Sequence, residues 1–275
     1  MTYRELCARL SEAGVPDPAR DAAILIEEAT GLSAAALMTR RDEDFDSPRL
    51  AETAARREKR EPLQYILGTW PFMGLDFAVT PDCLIPRADT ELLAEEVLRS
   101  LPHGGVFADL CTGSGCIALS VLKLRGDCRA LAVDISPEAL AVAQKNAEAL
   151  GVADRVTFLL HDVTKPLPTD EAFDLIVSNP PYVPTEDTRA LEPELYHEPM
   201  LALDGGADGM NIIRPMLSHA PARIKAGGKL LIEFGYQSGA VMTALAEEAK
   251  RNGRIAEYKI CRDLSGNDRM LVARV

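Results

Sequence analysis

The 275 residues, 47% hydrophobic and 26% charged, have ordinary globular composition and suffice for one large α/β domain or a main domain with a smaller companion. A formal charge of −12 argues against broad electrostatic capture of nucleic acid, which needs clustered Lys and Arg. Six cysteines without a CxxC pair and four scattered histidines signal neither a zinc site nor a disulfide framework. No apolar run approaches the ~20 residues of a membrane span, and the amino terminus lacks the regions of a signal peptide, so a cytoplasmic protein is expected.

Residues 1–70 read as helices only. Thr2 with Glu5 makes a capping box, Asp17 before Pro18 starts a second helix, and Ser47 before Pro48 starts another. A small helical bundle follows, with Arg56, Arg57, Lys59 and Arg60 as a solvated basic face. Residues 71–87 change to Gly, Pro and aromatics, with alternation in Leu75, Phe77 and Val79, and are expected to form a hairpin or linker. A helix capped by Asp89 or Thr90 is then predicted to run to about Ser100.

From there strands and helices alternate, which calls for a parallel sheet. The predicted strands are 106–110, 130–134, 156–161, 173–178 and 229–234, with helices 116–124 and 137–150 in the early gaps. Segments 257–262 and 269–275 are expected to close one edge as an antiparallel pair.

Polar residues gather where these strands end. Asp109-Leu110-Cys111-Thr112-Gly113-Ser114-Gly115 lies between the first strand and its helix, where glycines allow close approach to a ligand and a helix amino terminus offers free N–H groups. Asp134 ends the second strand and can accept from both hydroxyls of a ribose, and Asp162 ends the third within reach of a purine amino group. The loop also fits GxGxxA, the pyrophosphate fingerprint of NAD enzymes. Asp109 tilts the choice toward a cationic sulfonium cofactor, since a carboxylate suits an amino group better than a diphosphate.

The fourth strand delivers Asn179-Pro180-Pro181-Tyr182. Each proline fixes φ and lacks an N–H, so the backbone is stiff and its carbonyls face the crevice. Asn179 adds an amide acceptor and two donors, and Tyr182 a flat π face. Such a group can grip a planar NH2 and aim its nitrogen at an electrophile.

With both stretches in hand, the carboxyl-terminal two-thirds resembles the class I S-adenosylmethionine-dependent methyltransferases. Residues 63–68, 84–91 and 179–182, with Glu198-Pro199 and 203–206, together look like the peptide chain release factor glutamine methyltransferases. The resemblance implies a seven-stranded, mostly parallel Rossmann-like methyltransferase sheet over 88–275 with a small helical N-terminal domain, which would dock the substrate protein. It implies S-adenosyl-L-methionine as cofactor and methylation of the glutamine amide in the Gly-Gly-Gln loop of release factors. Residues 111–115 (Cys111, Thr112, Gly113, Ser114, Gly115) would line the cofactor's amino-acid end, Asp134 its ribose, and Asp162 with Val163 its adenine. Asn179, Pro180, Pro181 and Tyr182 would hold the acceptor amide. Cys111 departs from the family's usual glycine, so its part holds only if its φ is negative. No direct nucleic-acid partner, no membrane and no metal are expected, and the chain should act as a monomer. The alternatives are a glutamine on a ribosomal protein, an adenine N6-methyltransferase, and a non-catalytic binding module.

Overall fold

Thr2 opens helix α1 (Tyr3–Glu12) through the reciprocal capping box: its hydroxyl accepts from the Glu5 N–H at 3.2 Å, and the Glu5 carboxylate from the Thr2 N–H at 2.8 Å. Asp17 caps α2 (Pro18–Thr30), the short α3 (Ala34–Leu37) follows, and Ser47 caps α4 (Pro48–Glu58) before α5 (Leu63–Leu67). In both capped helices a proline occupies the first turn, where its missing N–H costs nothing. The computed structural model describes residues 1–45 and 47–275. Met1–Thr69 form one compact unit together with Glu192–His197 from much later in the chain. Its core is Leu6, Leu10, Leu25, Ile26, Leu50 and Ile66. Full burial of such a side chain stabilises by roughly 1.5–3 kcal/mol.

Of the basic cluster of this unit Lys59 is exposed as expected, whereas Arg56, Arg57 and Arg60 are held by carboxylates. Arg57 is only 4% exposed and donates to Asp21 at 2.7 Å and to Glu194 at 2.8 Å. Arg60 makes two bonds to the same Glu194, at 2.7 and 2.6 Å, and Arg56 donates to Glu61 at 2.9 Å. For Arg57 the expectation failed because Glu194 lies 137 positions away, beyond any spacing rule.

The second unit holds Trp70–Leu191 and Glu198–Val275. Strands β1 (Thr69–Phe72) and β2 (Leu75–Ala78) form a hairpin whose turn residues Met73 and Gly74 both have positive φ, 52° and 72°, the geometry that matches strand twist. Segment 71–87 thus packs as part of the second unit, with Phe72 and Phe77 edge to face at 6.2 Å.

Helix α6 (Ala88–Ser100) leads to β3 (Val106–Leu110), α7 (Cys116–Leu124), β4 (Arg129–Asp134), α8 (Pro137–Leu150), β5 (Val156–Leu160) and β6 (Phe173–Ser178). Then come α9 (Ile213–His219), β7 (Ile224–Glu233), α10 (Gly239–Arg251), β8 (Glu257–Arg262) and β9 (Asp268–Arg274). The sheet order is β5-β4-β3-β6-β7-β9-β8, parallel except at β9, which runs antiparallel to both neighbours. This is the seven-stranded, mostly parallel sheet expected. Strand β7 begins at Ile224 rather than 229 because its ladder with β6 resumes across an irregularity between Phe173 and Leu175. The cap of α6 also differs: Arg87 occupies it without a side-chain bond. Thr90 is instead turned inward and Asp89 pairs with Arg269 at 3.4 Å, so both side chains are committed elsewhere.

Candidate active site

Strand order reverses between β3 and β6, and in open α/β sheets the crevice at that switch point is where ligands bind. The Ser178 hydroxyl ties the two strand ends together, donating to the Leu110 carbonyl at 2.7 Å. Beside this seam lies an open cleft whose lining draws on the loop after β3, the end of β4 and the segment after β6; small-molecule sites commonly form at such places.

Its floor is the loop after β3. Gly115 caps α7 at φ 80°, and an added Cβ would stand 2.8 Å from Leu119 and 3.2 Å from Ala143, so only glycine fits. The Asp134 carboxylate shapes the loop: Oδ2 accepts from the Gly113 N–H at 2.8 Å, and Oδ1 from the Ser136 N–H at 3.0 Å. Burial raises Asp134 above the ordinary carboxylate range, against the lowering effect of those N–H groups. On α8, Asn146 accepts from the Ala78 N–H at 2.8 Å and donates to the Ser114 carbonyl at 2.9 Å, fastening the hairpin to the loop.

Asp109 lies beneath the loop. It is 0% exposed and accepts from the Thr112 hydroxyl at 2.7 Å and the Ala118 N–H at 3.2 Å, while its other oxygen has no partner. Burial, outweighing those two bonds, pushes it up to about 7.

The wall facing the loop comes from β6. Asn179 borders the cleft and donates from Nδ2 to the Thr90 hydroxyl oxygen at 3.1 Å. The Tyr182 hydroxyl donates at 3.2 Å to Glu233, which ends β7 and is 1% exposed. Burial pushes Tyr182 far up, so it stays protonated, and pushes Glu233 up to about 7, against the Thr90, Tyr182 and Arg269 groups that favour its charge. Segment 203–206 holds the tetrapeptide from behind: Val183 and Gly205 exchange backbone bonds with Leu203 and Val183 at 2.9 and 2.8 Å. An added Cβ at Gly205 would lie 2.6 Å from the Tyr182 Cα, which explains a glycine there.

The structure therefore brings together Thr112, Gly113, Ser114, Asp134, Asn179 and Pro181 around one cleft. Pro180 and Tyr182 flank that wall without lining it, and Gly115 sits just behind as the helix cap. Asp109, Asp162 and Val163 are outside the lining. Asp162 is occupied locally, accepting from the Thr164 N–H and hydroxyl at 2.9 and 2.6 Å, and Val163 is buried in the apolar core. Cys111 borders the cleft but has φ 61°, the sign at which its part in the family pattern was expected to fail. A side chain in that left-handed region costs roughly 1–2 kcal/mol, which the family's glycine avoids.

Residues 2–68 match the PrmC N-terminal domain family, and residues 88–206 the methyltransferase small domain family. A release factor glutamine methyltransferase of Geobacter sulfurreducens is 42% identical over 270 residues, covering 97% of this chain and 93% of that protein. The chain belongs to the release factor glutamine methyltransferase family. A second relative of that name, from Moorella thermoacetica, is 40% identical over 274 residues, 98% of this chain and 95% of its own. A methyltransferase structure from Pyrococcus furiosus superposes with a TM-score of 0.53 at 19% identity, over 73% of this chain and 89% of that one, which shows the shared fold.

For this member of the release factor glutamine methyltransferase family, sequence reasoning gave no site role to three side chains that build the site, although Thr90 and Glu198 lie in stretches that carry the resemblance. Thr90 and Glu233 support the tetrapeptide, and Glu198 accepts from the Ile85 N–H at 3.0 Å while pairing with Arg87, a cation on the cleft wall. Glu233 had a readable signal: a carboxylate closing the apolar run Leu230-Leu231-Ile232 belongs either to water or to a site.

Proposed function

We propose that the protein transfers a methyl group from S-adenosylmethionine to the side-chain amide nitrogen of the glutamine in the Gly-Gly-Gln motif of peptide chain release factors, acting in the cytoplasm as a monomer. The observation that carries this reading is the Asn179 amide: with Nδ2 committed to Thr90, the end left for a ligand is the acceptor Oδ1. Among the described residues no helix is long and apolar enough to cross a membrane.

The residues present fit the cofactor. A Cβ at Gly113 would meet nothing within 4 Å, so the loop backbone lies open, and the Asp134 carboxylate is fixed at the cleft wall by two N–H groups. Thr112, Gly113 and Ser114 would face its amino-acid end and Asp134 its ribose hydroxyls. Asp109 acts through the loop it braces, and no cofactor contact is assigned to Cys111, Asp162 or Val163. When bound, S-adenosylmethionine supplies an electrophilic methyl on a positively charged sulfur.

The difficulty on the acceptor side is that an amide lone pair is delocalised into its carbonyl. Placement supplies most of the answer: holding nitrogen in line with its target recovers up to ~7–11 kcal/mol of the barrier in favourable cases. Asn179 Oδ1 and the Pro180 carbonyl each accept one N–H of the glutamine, which turns the nitrogen toward the cleft. The same two acceptors stabilise the positive charge that nitrogen gains. Tyr182, anchored through its hydroxyl, supports the amide plane. The proton then leaves to water.

The test is incubation with labelled S-adenosylmethionine and three acceptors: purified release factor, ribosomes and DNA. Label is expected on the release factor and absent when its Gly-Gly-Gln glutamine is replaced by alanine. Label confined to a ribosomal protein or to DNA overturns the reading.

A further inference from the structure

We infer that Arg87 recognises the carboxylate of the cofactor's amino-acid end, held in place for it by the buried Glu198. The inference rests on S-adenosylmethionine as the cofactor and adds to that reading a group that tells the whole cofactor from its fragments. The charged residues lining the cleft are Asp82, Asp134 and Arg87, so among the described residues Arg87 is the only cation there. The one anionic group of S-adenosylmethionine is the carboxylate of its amino-acid end. Taken out of water, a carboxylate needs a cation or several donors around it. Asp82 and Asp134 repel it, and Arg87 attracts it.

The hydrogen bonds around Arg87 leave it open to a ligand. The Glu198 side chain is only 1% exposed, and both of its oxygens are taken: Oε2 accepts from the Ile85 N–H at 3.0 Å, and Oε1 from Arg87 Nη2. Glu198 is the only hydrogen-bond partner of Arg87 among the described residues, so Nε and Nη1 remain to donate. Arg57 is the contrasting case, with its three nitrogens committed to Asp21, Glu194 and the Glu61 carbonyl and its side chain 5% exposed, against 35% for Arg87. Anchoring one nitrogen of a guanidinium limits the freedom of its whole plane, and a planar fork of donors matches a carboxylate. Glu198 also offsets the field of Arg87 at longer range. A carboxylate in contact therefore feels the cation strongly, while the positive sulfur farther along the same ligand is repelled little.

The experiment is calorimetry on the full chain, without acceptor, using three ligands. These are S-adenosylmethionine, its decarboxylated form, which keeps the sulfonium and the amino group, and 5′-methylthioadenosine, which lacks the amino-acid end altogether. Wild type should prefer S-adenosylmethionine to the decarboxylated form. In Arg87→Met, which keeps the apolar stem of the side chain, that preference should fall about tenfold to a hundredfold, the usual consequence of losing one charge-assisted hydrogen bond. Affinity for 5′-methylthioadenosine should hold. Arg87→Lys, which keeps the charge without the fork, should retain part of the preference. Comparing the two sulfonium ligands in both proteins closes a double-mutant cycle, so general damage to the cleft cancels. If Arg87 only braces residues 85–87 against Glu198, its loss weakens all three ligands alike, and that result overturns the inference. A preference for the carboxylated ligand that survives unchanged in Arg87→Met overturns it too, by giving the carboxylate to other donors of the cleft. Should Arg87→Met not fold, Arg87→Gln also removes the charge and carries the same expectation. A wild-type protein that binds S-adenosylmethionine without preferring it to the decarboxylated form keeps its cofactor and overturns this inference alone. One that binds neither overturns the cofactor reading as well.

Discussion

Two carboxylates, Glu194 in the helical unit and Glu233 in the sheet unit, are perturbed in opposite directions. Burial raises both, but around Glu194 the guanidiniums of Arg60 and Arg57 more than reverse it and bring it down to about 2, whereas Glu233 has two neutral hydroxyls and a more distant Arg269 and stays up near 7. The first carboxylate is permanently charged and serves the fold. Its contribution is present above the ordinary value of 4.5 and is lost as pH falls through about 2. The second is held where it can change state at working pH. It costs stability, because the folded protein keeps its proton between 4.5 and about 7 while the unfolded chain has released it. A carboxylate left short of cations therefore marks the site, and one saturated with them marks the scaffold.

The most forceful way to break the contrast is to open the saturated cluster. Arg57→Ala leaves Asp21 and Glu194 without their shared cation and should destabilise by about 3–5 kcal/mol in urea unfolding. S-adenosylmethionine affinity should not change, since the cleft contains none of these residues. Slightly smaller in energy is Asn179→Ala, which removes the acceptor from the cleft wall. Turnover with cofactor saturating should drop on the order of 10²–10³-fold, about 3–4 kcal/mol; a near wild-type rate would reduce the tetrapeptide to a structural turn. The contrast is sharpened by measuring the stability of Glu233→Gln and wild type as pH rises from 5 to 8. The difference should move in favour of the variant by roughly 3 kcal/mol up to about pH 7 and then stay flat, because the buried Asp109 is common to both proteins and cancels while Glu233 ionises only in wild type. A parallel pair of pH curves would place the titration elsewhere. The smallest effect is expected from Asp134→Ala, which should weaken S-adenosylmethionine binding by about 1–3 kcal/mol in calorimetry. Unchanged affinity would move the ribose off β4, and tight NAD binding in the same measurement would overturn the cofactor.

Much of the fold was legible because its signals are local. Thr2 and Glu5 stand three residues apart, Asp17 and Ser47 directly precede prolines, and the apolar segments that became β3 to β9 carry their own punctuation. Parallel alternation then obliged the ends of β3, β4 and β6 to share one edge, so Thr112, Gly113, Asp134 and Asn179 could be grouped from sequence. Tertiary structure alone decided what those groups meet. Arg57 finds Glu194 at a separation of 137 residues, Asn179 finds Thr90 at 89, and Tyr182 finds Glu233 at 51. It also set the left-handed φ of Cys111 and took Asp109 and Asp162 away from the cleft. The division has a physical cause: periodicity and capping act over a few residues of chain, whereas the partner of a buried polar group is chosen by strand order and by the need of every desolvated donor for an acceptor.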